Sequence, residues 1–337
     1  MANVFEHCEL MGLSMKNRIV RAATNDYSGN LDGSLSEIQF DLYEKLAKSE
    51  VATIITANYF VTDDGRLDAY QNAITVHYDR AGITRLCDRI HAYDCRVIMQ
   101  ISHAGEKSKV DADVAKKYGN LSNLLQEEIH ELMKAYIAAA KRAKECGVDG
   151  VQVHCGHGYL LSQFLYEGSN NRTDQYGGSL TGRCRIVVEI LKGIKEQCGA
   201  EFPIWTKINC DDFSESELIE VCGLLKDAGV SLIEFSGRSF PTFDSKVHNY
   251  YEKQAELIHT KLGMRVLLTG GIRSFEDAKS AIEKGIDLVG LSRPLISEPE
   301  LIAKWKNNES SRCISCNKCF TLYKDRQKRC VFHENKI

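Results

Sequence analysis

Eight short apolar or β-branched runs recur along this chain, each followed by a polar or helix-forming stretch, and that alternation leaves few folds open. They span 18–23 (RIVRAA), 51–61 (VATIITANYFV), 95–102 (CRVIMQIS), 149–154 (DGVQVH), 203–209 (PIWTKIN), 231–237 (SLIEFSG), 265–271 (RVLLTGG) and 287–293 (DLVGLSR). Strands without a polar face must be covered on both sides, which implies a parallel sheet packed against helices. Eight strand–helix units predict a closed (β/α)8 TIM barrel in the α/β class, folded as a single domain.

The intervening segments support this. Ile129, Leu132, Met133, Tyr136, Ile137, Ala140 and Ala143 fall on one helix face, and similar patterns lie near 179–198, 214–228 and 274–284. The stretches 61–78 and 103–125 read as loops over the barrel mouth. With only 4 prolines in 337 residues and no low-complexity segment, nothing marks a boundary before about residue 308. The expected organisation is a barrel over 1–307 and a cysteine-rich tail over 308–337, packed on or extending from it.

A net charge of -3 offers no basic field for nucleic acid. No apolar span reaches the ~20 residues needed to cross a bilayer. The first residues lack the unbroken apolar stretch of a signal peptide, so the expected compartment is the cytoplasm. Of 13 cysteines, those between Cys8 and Cys222 are scattered through helix and strand patterns, as expected of reduced, buried thiols.

In such a barrel, chemistry belongs at the carboxyl ends of the strands. The candidates there are Thr24, Asn25 and Tyr27 after the first strand, Asn58 after the second, and Gln100 with His103 after the third. His154, His157 and Tyr159 follow the fourth strand and Lys207 ends the fifth. Ser236 and Gly237 close the sixth, Gly270 and Gly271 the seventh, and Ser292 and Arg293 the eighth. The last two pairs suit a phosphate, with Ser274 capping the next helix. Two imidazoles and a phenol at one strand end are the parts needed to polarise a carbonyl and protonate an adjacent carbon. As metal ligands the histidines lack an evident third partner.

Several motifs in order, KNRIVRAAT (16–24), MQISHAGEKS (99–108), HCGHGYLLSQFL (154–165), NNRTDQYGGS (170–179), LLTGGI (267–272) and VGLSRPLI (289–296), resemble the bacterial single-domain branch of the Old Yellow Enzyme family. The resemblance implies noncovalent FMN across the barrel mouth, NADH or NADPH as reductant and an activated alkene as oxidant. It assigns Ala23, Thr24, Asn25, Asn58, Gln100, Lys207, Ser236, Gly237, Gly270, Gly271, Ser292 and Arg293 to the flavin. Within that set Gln100 meets the pyrimidine edge, and Lys207 lies near N1 and O2, where a cation favours the anionic reduced ring. His154 and His157 grip the substrate's carbonyl or nitro oxygen, Tyr159 delivers the proton, and Tyr27 lines the substrate side. Asn25 stands where relatives carry Thr or Cys, a departure that bears on redox tuning and substrate range. Asn171, Arg172, Asp174 and Arg183 are expected to serve loop structure. Relatives range from monomers to tetramers, so a homo-oligomer is compatible with the resemblance.

Cys313, Cys316, Cys319 and Cys330 form a C-x2-C-x2-C-x10-C pattern able to hold a [4Fe-4S] cluster or zinc. The first three resemble the cluster motif of larger relatives such as trimethylamine dehydrogenase and 2,4-dienoyl-CoA reductase. A cluster-free, cysteine-rich tail is the plainer reading. Two other functions stay open: a flavin/iron–sulfur electron-transfer subunit, and a metal-dependent barrel hydrolase using His154 and His157.

Overall fold

The computed structural model describes residues 3–10, 12–238, 246–321 and 324–332. It opens with an antiparallel hairpin of β1 (Cys8–Leu10) and β2 (Leu13–Met15), turned by Gly12 at φ 76°. The barrel follows, in the order β3 (Ile19–Arg21), β4 (Thr53–Ile55), β6 (Arg96–Ser102), β7 (Gly150–Cys155), β8 (Ile204–Asn209), β9 (Leu232–Ser236), β10 (Arg265–Thr269) and β11 (Leu288–Leu291). Every neighbouring pair is parallel, and β11 closes on β3 with Val289 opposite Ile19. This is the (β/α)8 barrel expected from the apolar runs.

The run at 51–61 is not one strand. It breaks after Ile55, and β5 (Tyr59–Phe60) resumes beside the end of β6. The backbone N–H of Ala57 is taken by the Tyr43 hydroxyl at 2.7 Å, which removes it from the ladder and turns Asn58 toward the mouth.

The hairpin, which the sequence pattern did not reveal, closes the amino-terminal end of the barrel. Cys8, Leu10, Leu13 and Met15 pack with Ile98, Trp205, Leu232, Leu267 and Leu288 in a cluster separate from the main core. With both ends of the strands covered by apolar side chains or loops, the interior is a packed core. Outside, Ile129, Leu132, Tyr136, Ala139, Ala140 and Ala143 bury one face of the helix Gln126–Glu145, as the periodicity predicts. The helix Phe275–Glu283 starts at Ser274, whose hydroxyl accepts from the N–H of Asp277. The nine cysteines from Cys8 to Cys222 are free and buried.

The mouth loop 103–125 holds a helix, Ala112–Tyr118, and short 3-10 turns. Arg172 ties this loop down, donating to the carbonyls of Leu121 and Leu124 at 2.5 and 2.7 Å and pairing with Asp174 at 2.6 Å. Beyond the last helix, Leu301–Lys306, the chain runs back over the mouth. There Arg326 donates to the Gly29 carbonyl and Lys328 to the Asn25 carbonyl, at 3.0 and 2.7 Å.

Candidate active site

The carboxyl ends of the strands surround a cavity of about 460 Å³, within the ordinary range for small-molecule sites. All but one of the residues expected at the flavin and substrate line it: Ala23, Thr24, Asn25, Tyr27, Asn58, Gln100, His154, His157, Tyr159, Lys207, Ser236, Gly270, Gly271, Ser292 and Arg293. Gly237 lies behind the wall, where an added Cβ would meet the Tyr251 hydroxyl at 2.1 Å. Its lack of a side chain lets Tyr251 close against the strand end. His103 is fully buried beside Tyr118 and 3.5 Å from Asp64, and it does not line the cavity.

β7 delivers the imidazole–phenol cluster. The rings of His154 and His157 have centroids 5.0 Å apart, and His154 meets Tyr159 edge-on at 4.7 Å. His157 has φ 60° and Gly158 φ 74°, two successive left-handed residues. A non-glycine residue in that region is strained. Asn209 holds it by accepting the His157 N–H at 2.8 Å, and the ring lies 3.0 Å from the Ser236 hydroxyl. Burial, reinforced by Lys207, lowers the His154 pKa to about 3, and Nδ1 has no hydrogen-bond partner among the described residues. Burial also drives His157 well below the usual imidazole range, with His154 and Lys207 adding to the effect. Both rings are therefore neutral at ordinary pH. Tyr159 is pushed well above the usual phenol range, first by burial, so it keeps its proton. Asn58 donates to its oxygen at 3.4 Å, which leaves the hydroxyl proton to be donated elsewhere.

The floor is a chain of polar groups inside the barrel. Gln100 donates to Gln152 at 2.7 Å, Gln152 donates to Glu234 at 2.7 Å, and Lys207 pairs with the other oxygen of Glu234 at 2.8 Å. On one wall Thr24 meets Ser292 at 2.7 Å, joining the first and last barrel strands. The Asn25 amide is engaged at both ends, by Asp68 and by the backbone N–H of Tyr27. Gly270 and Gly271 have φ 128° and 79°, and a Cβ on Gly271 would meet Tyr250 at 2.6 Å.

Residues that no local pattern singled out complete the cavity: Lys107, Lys109, Tyr250, Tyr251, Arg273, Ser315, Phe320 and Lys328. Lys328 sits 4.6 Å from the Tyr27 ring centroid, and burial lowers its pKa to about 8. Arg293 donates to the Ser315 carbonyl and to Asn317 at 3.1 and 2.7 Å. It also borders a second, smaller hollow, lined by Cys313, Cys316, Cys319, Cys330 and Arg312. Among the described residues, no three His, Cys, Asp or Glu side chains are arranged to hold a metal ion.

The cavity suits a flavin nucleotide. Gln100 and Lys207 offer amide and ammonium groups to a pyrimidine edge, while the bare Gly270–Gly271 backbone, Ser292 and Arg293 suit a phosphate.

The sequence pattern of the NADH:flavin oxidoreductase / NADH oxidase family matches residues 3–311. An NADH oxidase of Thermoanaerobacter brockii is 31% identical over 94% of this chain and 53% of its own length, so this chain spans about half of that relative. An NADPH dehydrogenase of Halalkalibacterium halodurans is 30% identical, across 88% of this chain and 91% of that protein. Two solved structures share the fold. Morphinone reductase superimposes with a TM-score of 0.79 at 22% identity, covering 92% of this chain and 91% of its own. A 2-naphthoyl-CoA reductase in complex with 2-naphthoyl-CoA reaches 0.85 at 23%, covering 94% and 54%. An oxidoreductase family displaces the reading as a barrel hydrolase. This chain belongs to the NADH:flavin oxidoreductase / NADH oxidase family, that of the old yellow enzymes, and is an NAD(P)H:flavin oxidoreductase.

Proposed function

We propose that the protein reduces activated C=C bonds, in enones and nitroalkenes, at the expense of NADH or NADPH. The observation that carries this reading is the meeting of His154, His157 and Tyr159 in one cavity whose floor presents Gln100 and Lys207. FMN, when bound, supplies the hydride. His154 and His157, both neutral, orient the acceptor by donating to its carbonyl or nitro oxygen, drawing electron density from the β-carbon. Tyr159 holds a proton for the α-carbon, so hydride and proton together saturate the bond. Lys207 supports negative charge on the pyrimidine edge, and Arg293 with Ser292 and Gly271 holds the phosphate. Apart from Lys207, paired with Glu234, and Arg293 at the phosphate, the cavity lining carries four cations, Lys107, Lys109, Arg273 and Lys328, and no carboxylate among the described residues. That balance favours an acceptor bearing an anionic group, and the ligand named in the 2-naphthoyl-CoA complex is a polyanion of this kind. Steady-state assays of matched neutral and carboxylate-bearing enones with both nicotinamides test the reading. It predicts saturated product in each case with a lower KM for the acid, and no saturated product from either acceptor would refute it.

A second reading, a flavin/iron–sulfur electron-transfer subunit, draws support from Arg293, whose side chain borders both the main cavity and the four-thiol hollow. Cys313, Cys316, Cys319 and Cys330 border one hollow, and four thiolates at this spacing can hold a [4Fe-4S] cluster or zinc. Iron and acid-labile sulfide in anaerobically purified protein decide this: four of each per chain support a [4Fe-4S] cluster, and absence of both removes it.

A further inference from the structure

Beneath the floor of the cavity lies a carboxylate that neither the proton donor nor the substrate clamp uses. Glu234 is 0% exposed, as is Gln152, and Lys207 is 3% exposed. Strand register brings these groups together: β6 and β7 place Gln100 opposite Gln152, while β8 and β9 place Lys207 opposite Glu234. The direction of every bond in this chain follows from one fact, that a carboxylate only accepts. Glu234 must receive an N–H from Gln152, so Gln152 turns its carbonyl oxygen to Gln100. Gln100 in turn commits an N–H to Gln152, which leaves its own carbonyl oxygen for the cavity side. The same carboxylate lies 2.8 Å from the Lys207 ammonium and offsets its charge.

We propose that Glu234 is a positioning residue for the flavin reaction: it sets the polarity of the Gln100 amide and cancels most of the Lys207 charge, holding the flavin potential below the value an unpaired lysine would give. This rests on the assignment of FMN to the cavity. An unpaired cation beside the pyrimidine edge favours the anionic reduced ring, and a paired one does so far less.

The test is a charge cycle read as the FMN midpoint potential of the holoenzyme, in wild type, Glu234→Gln, Lys207→Met and the double variant. Glu234→Gln is expected to favour reduction at least tenfold, about 30 mV upward for a two-electron couple. Lys207→Met is expected to shift the potential downward, and the double variant to return close to wild type. Replacing both members of a buried pair keeps the fold better than removing one, so the double variant against wild type decides the matter even if a single variant does not fold. A double variant whose potential falls well below wild type, as it would if Lys207 acted as an uncancelled cation, overturns the inference while leaving the flavin assignment intact. Wild-type protein that binds no FMN overturns both.

Discussion

Acid should destabilise this protein through its own active site. His154 is buried and His157 half-buried, and both are unprotonated in the folded state, with His154 at about 3 and His157 also well below the imidazole range. In the unfolded chain both titrate near ~6.5. Folded pKa values lie below unfolded ones, so between about pH 6.5 and 3 the unfolded state binds more protons and stability falls as pH falls. Each unit below 6.5 costs ~1.4 kcal/mol for His154, which makes ~2 kcal/mol at about pH 5, and His157 adds in the same direction. Other groups, including carboxylates and His103, also respond in this window, so the comparison is with a His154→Gln/His157→Gln variant. Urea unfolding at about pH 7 and pH 5 should show wild type losing at least ~2 kcal/mol more than the variant. Equal losses in the two proteins would refute the burial argument for the pair.

Tyr159→Phe should slow acceptor reduction by ~10²- to 10⁴-fold, the usual contribution of a positioned acid, with flavin reduction by NAD(P)H unchanged in stopped-flow traces. Because Tyr159 receives only a 3.4 Å contact from Asn58, its melting temperature should hardly move. Gly271→Ala places a methyl 2.6 Å from Tyr250 at φ 79°, and should weaken FMN binding measured by fluorescence quenching. Trp205→Ala, emptying a fully buried site beneath the barrel, should cost ~3–5 kcal/mol in denaturant unfolding while leaving the order of acceptor preference intact.

The barrel was legible because parallel strands buried on both faces need continuous apolar runs, and about half of the cavity lining because chemistry sits where those runs end. The amino-terminal hairpin escaped because strands of three residues, Cys8–Leu10 and Leu13–Met15, are too short to show a period of two. Lys328, Phe320 and Ser315 reach the cavity through the return path of the tail, which no local pattern encodes. Gln152 and Glu234 did carry a signal. A polar amide in VQV and a carboxylate in LIEF, inside strands otherwise largely apolar, are costly unless paired, yet the strand-end rule passed over both because they lie inside the runs. Gly237 shows the opposite error, a glycine at a strand end that serves packing against Tyr251.

The most direct test of flavin-dependent alkene reduction is the anaerobic yield of saturated product per nicotinamide oxidised, with FMN-loaded and FMN-stripped protein. Equimolar product from the loaded enzyme and none from the stripped one is the expected result. Nicotinamide consumption by the loaded enzyme with the alkene recovered unchanged would contradict it.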